Sequence, residues 1–131
     1  MNLSQANVVE LVANAVRTST LTPTGIDISA YSGPAQIVLQ SSAKTAGTSP
    51  TLNCKLQECD TVGGTYTDVS GVAFAEVTTA DSTEMLAIKP SELQQFVRVL
   101  CTIGGTSTPT FGFSVSMIAT LEAGRNSSQA V

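Results

Sequence analysis

Apolar and polar residues alternate with a period of two through most of this chain, the spacing that turns one side of an extended segment toward a core and the other toward water. The cleanest stretch runs from Thr51, with Leu52, Cys54 and Leu56 on one face and Asn53, Lys55 and Gln57 on the other. Ile37 and Leu39 share a face in the segment that starts at Ala35, and a loop of Gly, Thr and Ser follows. Gly63 and Gly64 permit a tight reversal before a short strand at 66–69, and Gly71 precedes an apolar segment from Val72 to Val77. Residues 83–88 predict a further strand with Met85 as a buried candidate, closed by Lys89 and Pro90 because proline cannot sit inside a paired strand. Ser91 then suits the cap of a single helical turn. Val97, Val99, Cys101 and Ile103 share one face of the next segment, and Phe111, Phe113, Val115 and Met117 one face of the last. Gly104, Gly105 and Pro109 between those two predict a hairpin of two long strands.

Short strands between turn signals, with no long helical pattern after residue 25, predict an all-β fold. The architecture expected is an antiparallel β-sandwich, of jelly-roll or immunoglobulin-like kind, over residues 17–121. With no tryptophan and no disulfide to pin the centre, an antibody-type domain is disfavoured. Residues 1–16 are set apart as an N-terminal arm or short helix. Val8, Leu11, Val12 and Ala15 suit an amphipathic helix, whereas residues 13–21 suit an edge strand, and both readings stand. From Arg17 onward Thr18, Thr20, Thr22 and Pro23 favour extended chain, and residues 122–131 form a polar C-terminal tail.

A length of 131 residues suits one domain with a real core. Charged residues are only 12% of the chain, and Ser with Thr make up about a quarter, so the surface is polar but weakly charged and rich in a strand-favouring residue. Net charge is −4, and Arg17, Lys44, Lys55, Lys89, Arg98 and Arg125 are scattered. That pattern argues against nucleic acid as a partner, since a phosphate backbone needs a concentrated basic footprint. No apolar run is long enough for a membrane helix, and the start lacks a basic segment followed by an apolar one, so neither membrane nor secretion is expected.

Histidine is absent, which removes the side chain best suited to proton transfer near neutral pH and the commonest metal ligand. No nucleophile elbow, calcium loop or phosphate-binding loop occurs. The expectation is therefore no catalysis, no metal and no cofactor. Cys54, Cys59 and Cys101 are odd in number, which argues against a disulfide framework and reads as reduced, buried thiols. Cys54 and Cys101 are placed facing each other across the core.

Five segments carry a resemblance: GIDISAYSG at 25–33, TLNCKLQECD at 51–60, YTDV at 66–69, FVRV at 96–99 and GGTS at 104–107. Across about residues 25–118 the chain resembles the head-decoration, or cement, proteins of tailed bacteriophages. The resemblance implies a β-sandwich on the capsid exterior that bridges neighbouring subunits of the major capsid protein, in a virion assembled in the host cytoplasm. A dimer or trimer without cofactor is the expected state. The candidate interface is the apolar arm, Val8, Val9, Leu11 and Val12, which would dock in a neighbour's groove. If so, removing residues 1–16 should leave the sandwich folded. The alternatives are a ligand-binding sandwich for carbohydrate or a receptor, and a tail component of the virion. The first of these would want exposed aromatics, and the six present (Tyr31, Tyr66, Phe74, Phe96, Phe111, Phe113) fall mostly on inward faces.

Overall fold

The computed structural model describes residues 6–120. Seven strands follow one another: β1 (Ala6–Arg17), β2 (Ile26–Asp27), β3 (Ala35–Ser41), β4 (Ala46–Cys59), β5 (Thr67–Ala73), β6 (Ser82–Ile88) and β7 (Phe96–Thr120). β7 is the spine of the molecule. On one side it pairs with β3 and β4 in turn, from Gln36 opposite Ile118 to Cys59 opposite Phe96. On its other side run β1, a single bridge at Leu21, and β2, from Ala6 opposite Thr120 to Asp27 opposite Phe96. β5 and β6 pair with the outer sides of β4 and β3 respectively.

The long ribbons bend midway and close on themselves. One sheet holds β1, the C-terminal half of β7, β3 and β6; the other holds β2, the N-terminal half of β7, β4 and β5. All pairings are antiparallel, and counting β7 as two gives the eight-stranded order of a jelly roll. The expected all-β sandwich is thus the architecture present, of the jelly-roll kind.

The bend explains the apparent turn signals near residue 105. Gly104, Gly105 and Pro109 do not make a hairpin, since β7 runs unbroken from Phe96 to Thr120. Left-handed backbone at Gly47, Ser49, Gly105, Ser107 and Thr108 lets β4 and β7 turn the corner together, with register shifts in their pairing at Ala46/Thr48 and Thr48/Thr51. A Cβ on Gly105, at φ +114°, would stand 2.8 Å from the Ser49 carbonyl oxygen, so glycine is required there.

One core lies between the sheets. Ile37, Leu39, Phe111, Phe113, Val115 and Met117 from the first sheet meet Leu52, Leu56, Val97, Val99 and Cys101 from the second, all essentially without solvent contact. Each such aliphatic or aromatic side chain contributes about 1.5–3 kcal/mol on burial. Two local expectations are corrected. Met85 points outward, 58% exposed, while its neighbour Leu86 packs on the core, a one-residue offset that inverts the face. The helical turn expected from Ser91 is a 3-10 turn one residue earlier, Pro90–Glu92, with no side-chain cap.

Residues 8–12, open to helix or strand in sequence, are strand, and the boundary drawn after residue 16 falls inside β1. The reason is tertiary: β7 offers an unpaired edge along residues 111–120, and a strand there satisfies its backbone groups. The polar tail at 122–131 lies outside the described residues. Among the described residues no helix is long and apolar enough to cross a membrane.

Candidate interaction surface

The four residues expected to form a docking arm do not share a face. Leu11 and Val12 are buried in the chain's own core, adjacent residues facing inward together because the register with β7 shifts between Glu10 and Val12. Val9, opposite Met117, packs on that core at its margin. Val8 alone stands out in solvent, 72% exposed and opposite Ile118 on the outer face of the first sheet. The register carries that face across to β6 in two rows: Val8, Ile118, Gln36 and Ala87, then Glu10, Ser116, Val38 and Met85.

The free edges of the sandwich differ in how they are protected. β1 carries two register shifts, β2 is two residues long, and the β4–β5 pairing is interrupted between Lys55 and Gln57 near the left-handed Gly71. Irregularities of this kind discourage pairing with a foreign strand. β6 has none. Its seven residues pair with β3 in unbroken register, and among the described residues nothing pairs with its far side. Within the strand the only charge is Glu84, whose carboxylate accepts a hydrogen bond from the Ala75 backbone N–H at 2.9 Å.

An open groove lies at the C-terminal end of β6, between Ala87–Ile88 and β5, with a volume of about 470 Å³. Val69, Val72, Ala87, Ile88 and Leu93 line it together with Glu58, Lys89 and Glu92. The Glu58 carboxylate accepts from the Gln94 N–H at 2.9 Å, fixing the chain that enters β7. A straight unpaired edge beside an apolar slot is the geometry by which sheets accept an extended peptide, backbone hydrogen bonds supplying affinity and alternate side chains filling the slot. No motif in the sequence marks this site, because an edge is defined by what fails to pair with it.

The outer face of the second sheet is a closed polar network. Gln57, nearly buried, donates to Asp68 at 2.9 Å and accepts from Arg98 Nε at 2.9 Å, while Lys55 Nζ pairs with Asp68 at 2.9 Å. The Arg98 guanidinium also lies 4.1 Å above the Tyr66 ring. Hydrogen bonds from Gln57 and then Lys55 hold the Asp68 carboxyl below the usual carboxylate range. Asp27 is lowered similarly, first by the Ser29 backbone N–H and also by Gln95. Among the described residues no group of three or more His, Cys, Asp or Glu side chains could hold a metal ion.

The sequence matches no protein-family model and no curated protein. Solved structures with a similar course of chain include Bacillus endospore appendages, described as a novel family of disulfide-linked pili, at 18% identity over 90% of this chain and 92% of that one, with a TM-score of 0.43. Another is infectious bursal disease virus, Gx strain, at 17% identity over 91% of this chain, with a TM-score of 0.44. The chain spans 32% of that viral chain. Neither likeness is close enough to carry a function across.

Proposed function

We propose that this chain is a non-catalytic structural module that works by covering and joining surfaces within a larger assembly, and specifically that it decorates the exterior of a bacteriophage capsid and bridges neighbouring major capsid subunits. The observation that carries the reading is the β6 edge with the apolar groove beside it, which fits an extended segment of a capsid subunit. A sandwich rich in Ser and Thr and poor in charge adds contact area without long-range repulsion. Many copies, each weakly bound, would stabilise an assembled shell by mass action. The resemblance of segments 25–33, 51–60, 66–69, 96–99 and 104–107 to decoration proteins points the same way.

Co-sedimentation with tailed-phage capsids tests the proposal. The expected result is saturable binding at a fixed copy number per shell, lost when Met85→Lys and Ala87→Lys place charge on β6 while the fold is retained. A chain that stays in the supernatant, or a double variant that sediments like the parent, refutes it. Most of the described aromatics offer carbohydrate no stacking surface: Phe74, Phe111 and Phe113 are buried, Tyr31 packs on the core and Tyr66 is covered by Arg98, while Phe96 is half-buried.

A further inference from the structure

Cys54 and Cys101, expected to face each other across the core, are instead register partners on adjacent strands, Cys54 in β4 and Cys101 in β7, with both side chains buried. Their backbone groups face away from one another. The Cys101 carbonyl accepts from the Leu21 N–H at 2.8 Å and the Cys101 N–H donates to the Leu21 carbonyl at 3.0 Å, while the Cys54 carbonyl accepts from the Phe74 N–H at 2.9 Å on the opposite side. The two residues therefore form a pair without mutual backbone hydrogen bonds, the closer of the two antiparallel pair types, with Cα atoms about 4.5 Å apart. Disulfides span Cα separations of about 4.4–6.8 Å, so this pair falls within reach.

We propose that Cys54 and Cys101 form an oxidisable cross-strand pair, which a small-molecule disulfide converts into an intramolecular bond linking β4 to β7 inside the core. The neighbouring Cys101 thiol, together with burial, pushes the Cys54 thiol well above its ordinary pKa, so the closed sandwich suppresses the thiolate that exchange requires. The first step belongs to the opening or folding chain. One cysteine thiolate attacks a sulfur of oxidised glutathione, releasing one glutathione thiolate and leaving a mixed disulfide. The second cysteine thiolate then attacks the protein-bound sulfur and releases the other glutathione. Two protein thiols are oxidised, one glutathione disulfide is reduced to two thiols, and no other electron acceptor is needed. Cys59 is excluded by position: it lies five residues along β4, opposite Phe96, with its sulfur 3.9 Å from the Thr61 hydroxyl.

The inference is independent of capsid binding, and refolding the full chain in a glutathione redox buffer tests it. Thiol titration of the denatured product should fall from three per chain to one, with a mass lower by about 2 Da and both changes reversed by dithiothreitol. Peptide mapping should join the segments around Cys54 and Cys101 and leave Cys59 free. In the Cys59→Ala variant no titratable thiol should remain, whereas Cys54→Ala should keep both of its thiols. Retention of all three thiols by the refolded wild-type chain, or a bridge that uses Cys59, overturns the proposal.

Discussion

Leu56 and Val8 show how little residue type alone says about energetic weight. Both are aliphatic strand residues, yet Leu56 has no solvent contact and Val8 is largely exposed. Leu56→Ala should cost about 2–5 kcal/mol from lost transfer energy and the cavity left behind. Val8→Ala should stay within about 0.5 kcal/mol, both read from urea unfolding midpoints. Asp68 gives a pH prediction with a definite sign. Its folded-state pKa is depressed by Gln57 and Lys55, so its contribution is present above the carboxyl's unfolded pKa and is lost as pH falls through the lowered folded value. Asp68→Asn should therefore flatten the loss of stability below about pH 4, measured as unfolding midpoint against pH. At this scale the sequence was readable wherever alternation was unbroken: Leu52, Cys54 and Leu56 face inward as expected. It misled at Met85, where Met85 and Leu86 are both apolar and only the pairing with β3 decides which faces in.

Among the elements, β1 and the bend in β7 changed most between expectation and structure. β1 pairs with β7 from Ala6 to Arg17 and puts Leu11 and Val12 into the core. Removing residues 1–16 would strip that edge and expose the flank of Phe113, Val115 and Met117. The truncated chain should lose cooperative unfolding by circular dichroism, the reverse of what an independent arm would give. Strand and helix were inseparable here because two register shifts break the period-two pattern, and the resulting spacing of Val8, Leu11, Val12 and Ala15 mimics a helix. The glycines and proline near residue 105 were legible as a break in regular strand but not as to kind. A hairpin and a bent continuous strand both need left-handed residues. Gly105→Ala, at φ +114° and against the Ser49 carbonyl oxygen, should destabilise by more than about 1 kcal/mol, with the loss visible in the same urea titration.

For the whole molecule, topology sets the folding behaviour. β7 is the last of the described strands and the common partner of β1, β2, β3 and β4, so neither sheet is complete without it. Such non-local pairing predicts slow folding, in the range of about milliseconds to seconds, measurable by stopped-flow refolding. A microsecond relaxation would contradict the role assigned to β7. The same arrangement leaves β6 at the rim, so the free edge on which the proposed function rests is a property of assembly order. No residue within β6 announces it.

The amino-acid sequence alone determined the class of this protein: period-two patterning, abundant threonine and regular turn signals leave an antiparallel β-sandwich as the arrangement that buries one face of every long strand. It also set the weakly charged character of the surface, since charged residues make up only 12% of the chain. Tertiary structure decided the pairings: that residues 6–17 close one edge of β7, that the glycines near 105 bend a strand without reversing it, and that Cys54 lies beside Cys101. The physical reason is that patterning specifies which face of a strand is apolar, whereas its neighbour, its register and any edge left open depend on backbone groups distant in sequence, which side-chain periodicity does not encode.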